Sequence, residues 1–76
     1  MKDKRAEKHQ RCLDILDCIK AFERRRGIVY ENIKMYEDLQ FTEHADEEKE
    51  KAQLIDRCIA RLEMRYAVAA GMSEQP

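Results

Sequence analysis

The feature that most constrains this chain is a heptad repeat that runs through two long stretches. In the first stretch, alternating steps of four and three residues connect Ile15, Ile19, Phe22, Arg26, Val29, Ile33, Tyr36 and Gln40. In the second stretch, the same spacing connects Ala45, Glu48, Ala52, Ile55, Ile59, Leu62, Tyr66 and Ala69. A mostly apolar repeat of this kind keeps one side of an α-helix apolar and is typical of helices packed side by side. The sequence therefore predicts an all-α fold of two helices.

The helix ends can be placed from capping residues. We expect one helix over about 3–40 and a second over about 43–70, with Thr42 as the N-cap of the second helix. Acidic residues crowd the first turns after Thr42, where the positive end of the helix dipole stabilises carboxylates. Gly71 is a natural stop, followed by a frayed tail, so residues 71–76 are expected to lie outside the helices. Residues 1–76 are predicted to form a single helical domain.

Gly27 is the position at which the first helix has an alternative end. The run Arg24-Arg25-Arg26-Gly27 has the composition of a helix C-terminus, with cations in the last turn and then glycine. No Ser, Thr, Asp or Asn caps a restart at residues 28–30, and the heptad register passes through Gly27 without a skip. The sequence favours a continuous helix, and a kink or break at Gly27 is the alternative.

If the two helices pair antiparallel around a turn near residue 42, Phe22 lies beside Leu62 and Val29 beside Ile55. The same register places Tyr36 against Glu48, where the phenol would donate a hydrogen bond to the one acid of the repeat. Two helices cannot enclose a core of their own. Further apolar residues lie off the two repeats, namely Ile28, Met35, Leu39, Leu54 and Val68. An exposed apolar patch usually marks an interface, so we expect a homodimer that forms a four-helix bundle.

The distribution of charge indicates how two hairpins would pack. The 76 residues carry 15 basic and 16 acidic side chains, a net charge of -1. Residues 1–26 have nine basic and five acidic side chains, residues 27–50 have two and eight, and residues 51–76 have four and three. The turn end is therefore acidic and the terminal end basic, which favours an antiparallel dimer. The balanced total gives no general attraction to nucleic acid or to an anionic membrane.

The sequence offers little for chemistry. The basic N-terminus runs into more charge rather than into an apolar segment, so no signal peptide is predicted and a cytoplasmic location is expected. Cys12, Cys18 and Cys58 contain no CxxC pair and are predicted to be reduced, buried apolar residues. His44 with Glu47 and Glu48 shares one helical face, but no Glu-x-x-His pair occurs. We therefore expect no enzyme activity, no cofactor and no metal.

A basic belt provides the alternative function. The antiparallel register places Arg57 and Arg61 at the height of Arg24 and Arg25, and guanidinium groups suit phosphate. The segments His44-Ala45-Asp46-Glu47 and Arg57-Cys58-Ile59-Ala60-Arg61 resemble parts of the second helix in the Rop family of plasmid copy-number regulators. That resemblance covers nine residues, implies a dimer of helical hairpins that binds paired RNA loops, and transfers no RNA-contact residue to this chain.

The predicted function is noncatalytic protein binding by a small dimeric helical adaptor, regulator or stoichiometric inhibitor, whose protein partner is unidentified. RNA or DNA binding through Arg24, Arg25, Arg57 and Arg61 is the alternative. Two surfaces are candidates for contact with a protein. One is an apolar patch of Ile28, Met35 and Leu39, and the other, which we call the acidic tip, consists of Glu43, Glu47 and Glu50.

Overall fold

The computed structural model of the protein describes residues 4–71. Helix α1 covers Lys4–Asp38 and helix α2 covers Thr42–Ala69, and a short turn at residues 39–41 joins them. The helices pack along each other as an antiparallel hairpin, and residues 4–71 contain no β-strand. The predicted all-α hairpin is confirmed. The expected helical residue 3 and the tail residues 72–76 lie outside the described part of the chain.

Helix α1 continues through Gly27 without interruption, so the alternative of a break at this residue is wrong. A Cβ atom added to Gly27 would meet no atom within 4 Å, which shows that no close packing requires a glycine here. The three arginines before Gly27 resemble a C-terminal turn in composition only. A single glycine costs a helix about 1 kcal/mol relative to alanine, and the packing of the flanking turns against α2 outweighs this cost.

The turn differs from the sequence prediction at both of its ends. Gln40 has a φ of 62°, and its N–H donates to the Glu37 carbonyl at 3.0 Å, while Phe41 N–H donates to the Tyr36 carbonyl at 2.8 Å. This is the hydrogen-bond pattern of a Schellman motif, which ends α1. Gln40 is therefore a left-handed cap residue and not a member of the helical repeat. Thr42 is the first helical residue of α2, and Phe41 occupies the N-cap position without a side-chain cap.

The C-terminal end of α2 follows the prediction. Gly71 has a φ of 73°, and its N–H donates to the Val68 carbonyl at 3.0 Å. Glycine adopts this left-handed conformation without the steric cost that other residues meet. Gly71 thus ends the second helix, as the sequence indicated.

The core lies in the single seam between the two helices. Its buried apolar residues are Ile19, Val29, Ala45, Ala52, Ile55 and Ile59, with Ile15, Leu16, Phe22, Ile33 and Leu62 partly buried around them. Most of these residues belong to the two heptad repeats. No large side chain among the described residues is completely buried. The seam alone therefore leaves every large core residue in partial contact with water.

The molecule is an elongated slab. Its Cα atoms span 58 × 28 × 12 Å and have a radius of gyration of 17.2 Å. A compact domain of this length would have a radius of gyration of about 11 Å. Two broad sides of the slab are therefore available to other molecules. Neither helix, within residues 4–71, has an apolar stretch of the length that crossing a membrane requires.

Candidate interaction surface

Cross-helix contacts identify which residues share each broad side of the hairpin. On one side, Asn32 meets Glu48, and a groove between the helices is lined by Arg25, Lys51, Leu54 and Cys58, among others. On the other side, Arg26 meets Asp56 and Glu37 meets Lys49. The heptad spacing then assigns the remaining positions, because residues seven apart lie on the same side of a helix.

The first of these sides carries an exposed apolar surface, which we call the apolar face. It consists of Ile28, Met35 and Leu39 on α1 and Leu54 and Val68 on α2. Met35 is 46% exposed, and the other four are between 54% and 68% exposed. Ile28 and Met35 are seven residues apart, as are Leu39 and Asn32, while Val68 lies two heptads after Leu54. The sequence identified all five residues but did not establish that they share one side of the hairpin.

Glu48 lies in the seam beside the apolar face and is only 7% exposed. Asn32 Nδ2 donates a hydrogen bond to its Oε1 at 3.0 Å, and Lys51 Nζ forms an ion pair with its Oε2 at 2.9 Å. Oε2 is buried and receives no hydrogen bond of regular geometry, so the ammonium group is its compensation. Contact with Lys51 first, and the bond from Asn32 second, hold the pKa of Glu48 below its ordinary value against the opposing effect of burial.

The predicted hydrogen bond from Tyr36 to Glu48 is wrong. The ring of Tyr36 instead packs against His44, with 5.3 Å between the ring centroids, and Phe41 meets His44 edge-on at 5.9 Å. Asn32 replaces Tyr36 as the donor because it flanks the seam on the side toward which the Glu48 carboxylate points. The sequence held a usable signal, since an acid in an apolar repeat requires a donor from a neighbouring position.

The acidic tip is exposed at the start of α2. Glu43, Glu47 and Glu50 all lie within the first three turns, and none of them is buried. His44 Nδ1 is 3.7 Å from Glu47 Oε1, a long contact between two side chains that are both mainly exposed. Glu47 lies on the same side of α2 as Leu54, whereas Glu43 and Glu50 project from the edge that faces away from α1. The tip therefore contributes Glu47 alone to the apolar face.

Only two of the four arginines predicted to form the basic belt lie on the same side of the hairpin. Arg25 and Arg61 lie on the apolar face, whereas Arg24 and Arg57 occupy opposite outer edges of the slab, because each faces away from the other helix. All four are exposed, and none forms an ion pair with a residue of the described chain. Arg26 is different. Its guanidinium donates to Asp56 at 2.9 Å, which raises its pKa above the ordinary arginine value and engages it within the hairpin.

The three cysteines lie at the margin of the seam or outside it. Cys12, Cys18 and Cys58 are free thiols, but Cys18 is exposed and the other two are half-buried, so the prediction that all three are buried is wrong. A two-helix seam is too narrow to cover positions that flank it. Within residues 4–71, no three His, Cys, Asp or Glu side chains lie close enough together to hold a metal ion.

Comparisons with known proteins do not place the chain in a family. No family model, no curated protein and no solved structure matches it.

Proposed function

We propose that the protein is a noncatalytic, cytoplasmic protein-binding module that acts as a small homodimeric four-helix bundle. The observation that carries this proposal is the apolar face. Five large apolar side chains are exposed on one side of a two-helix slab. Large apolar patches exposed on a soluble protein usually mark an interaction site.

The thin core supports the same proposal. The hairpin buries six apolar residues, of which two are alanines, and leaves nine large apolar residues exposed within the described chain. A domain of this size buries a small share of its surface and often depends on assembly for stability. A second hairpin packed on the apolar face would convert one seam into the interior of a bundle.

The dimer would present its remaining surfaces to another protein as an adaptor, regulator or stoichiometric inhibitor. Glu43 and Glu50 of the acidic tip point away from the apolar face and stay accessible after dimerisation. They offer carboxylates to a partner with basic residues. Because two copies present two such edges, one dimer would bind two equivalent surfaces.

The first test is the mass of the purified protein in solution. Light scattering at micromolar concentration should give twice the 9.1 kDa mass of the chain. Replacing both Met35 and Leu39 with alanine should shift this mass toward that of the monomer, while Leu13→Ala, which removes an apolar group from the opposite side, should not. A folded wild-type monomer at these concentrations would overturn the proposal.

The second test identifies the class of external partner. The wild-type dimer and a Glu43→Lys, Glu50→Lys variant are used to capture proteins from native lysate, with and without nuclease. A protein that is retained after nuclease treatment and lost in the variant supports the assigned function. Retention of nucleic acid alone contradicts it.

Nucleic-acid binding is the second candidate, and the specific observation in its favour is a set of four exposed arginines that form no ion pair within residues 4–71. Arg24, Arg25, Arg57 and Arg61 lie at similar heights, and such groups bind phosphates bidentately. This function requires association with a generic RNA or DNA duplex that weakens steeply as salt rises. Arg24→Glu with Arg25→Glu should abolish that association. The first candidate predicts no duplex binding at any salt concentration.

A further inference from the structure

We propose that a second copy of the chain covers the apolar face in antiparallel orientation, with Glu47 of each copy beside Arg61 of the other. This inference rests on the proposed function, because it names the occupant of the apolar face and fixes its orientation. The interface is isologous, so every contact occurs twice about a two-fold axis.

The position of the axis follows from a row of residues on α2. Glu47, Leu54, Arg61 and Val68 are spaced by seven, so they form a single line along the apolar face. Leu54 lies near the middle of α2, which covers Thr42–Ala69. A two-fold axis through Leu54 brings this side chain, 59% exposed in the hairpin, against its own counterpart.

The same axis exchanges an acid and a base. Glu47 precedes Leu54 by one heptad and Arg61 follows it by one heptad, so each lies about 10 Å from the axis on opposite sides. Rotation about the axis therefore places Glu47 of one copy at the height of Arg61 of the other. In a parallel assembly these two groups would remain about 20 Å apart along the bundle.

Both charged groups are available for this contact. Within the described chain, Glu47 has the long contact to His44 and a weak electrostatic interaction with Lys51, and Arg61 forms no ion pair. Neither side chain is buried in the hairpin. A contact between Glu47 of one copy and Arg61 of the other would therefore break no strong ion pair within either hairpin.

At the ends of the row, apolar residues of one copy also meet apolar residues of the other. Rotation about Leu54 carries Val68, which is 68% exposed, over the turn of the second copy. Leu39 and Phe41 flank that turn and are 54% and 50% exposed. The basic terminal half of each hairpin meanwhile overlies the acidic turn half of the other, as the segment charges require.

The available surface is large enough for a stable dimer. The broad side of the slab extends over 58 × 28 Å between Cα atoms. A standard protein interface buries about 800 Å² per partner. A face of this size therefore accommodates a standard interface without the outer edges, where Arg24 and Arg57 lie.

The experiment is charge exchange between copies. The dissociation constant of the dimer is measured at low ionic strength for Glu47→Lys and for Arg61→Glu, with circular dichroism to show that each variant is helical. Each single reversal places like charges together twice and should raise Kd about tenfold. An equimolar mixture of the two variants should associate with a Kd within about threefold of the wild-type value, because the mixed dimer contains two opposite-charge contacts. Glu63→Lys, on the opposite side of the hairpin, is the matched control and should leave Kd unchanged.

The outcomes separate this inference from the proposed function. A wild-type dimer that is insensitive to the reversals, or that shows no recovery in the mixture, overturns the antiparallel contact and leaves the dimeric module standing. A wild-type monomer overturns both. Recovery in the mixture supports the orientation directly, since no contact within one chain can produce it.

Discussion

Replacing Leu54 with alanine should weaken the dimer strongly while leaving the hairpin folded. Leu54 is 59% exposed in the isolated hairpin, and a second copy on the apolar face would cover that fraction. The substitution removes three carbon atoms, worth about 0.8 kcal/mol each when fully buried, so the dimer loses about 1.4 kcal/mol per copy. With two copies, the total of about 3 kcal/mol corresponds to a Kd roughly a hundredfold higher.

The measurement is sedimentation equilibrium over a range of protein concentrations, with circular dichroism on the same samples. Leu13→Ala is the matched control, because it is the same chemical change at a residue that is 40% exposed on the opposite side. Its Kd should stay within about threefold of the wild-type value, since distant sites that share no partner act independently. Equal shifts for the two variants would show that loss of hairpin stability, and not loss of the interface, weakens association. No shift for Leu54→Ala would refute the assignment of the apolar face.

Three further predictions concern the hairpin. Gly27→Ala should raise its stability by about 1 kcal/mol, measured by urea unfolding, because the added methyl group meets nothing within 4 Å and alanine is the better helix former. Gln40→Gly should also stabilise it, by about 1 kcal/mol, because Gln40 has a φ of 62°; an unchanged unfolding midpoint would contradict the left-handed turn. The pKa of Glu48 is lowered in the folded chain, so the carboxylate contributes fully to stability above the ordinary Glu pKa. This contribution is lost as pH falls through the lower pKa of the folded state. Glu48→Gln should therefore make the melting temperature fall less steeply on the acid side.

The heptad spacing was sufficient to predict the fold, because the residues that repeat at four and three positions are those that the seam requires. It could not predict how the helices end at the turn. Gln40 continues the spacing, yet it adopts the left-handed conformation in which glycine is usual. The hydrogen bonds from residues 40 and 41 back to residues 37 and 36 determine that conformation. Such a pattern belongs to the backbone and leaves no mark in the spacing of apolar residues.

The sequence was sufficient to predict which residues form the apolar face, but not how they are arranged in space. A helical wheel shows that Ile28 and Leu54 lie off their own seams, but it does not give the rotation of one helix relative to the other. Contacts such as Asn32 with Glu48 and Arg26 with Asp56 supply this rotation, because they mark opposite sides of the hairpin. The basic belt shows that residues close in sequence need not share a side of the hairpin. Arg24 and Arg25 are adjacent in sequence and at one height, yet they face different directions.

Glu48 connects the stability of the hairpin to the specificity of its assembly. A buried acid in an apolar seam costs free energy unless its partners are in place, and here both partners flank the apolar face. Sliding α2 by one heptad along α1 so that Leu39 takes the place of Asn32 would remove the interhelical hydrogen bond and leave only Lys51, on α2 itself, beside the carboxylate. The polar contact therefore favours one helix register over others that would bury similar apolar area. In that register Ile28 of α1 and Leu54 of α2 are exposed on the same side of the hairpin, so the contact that aligns the two helices also sets how far apart the two parts of the apolar face lie along the slab.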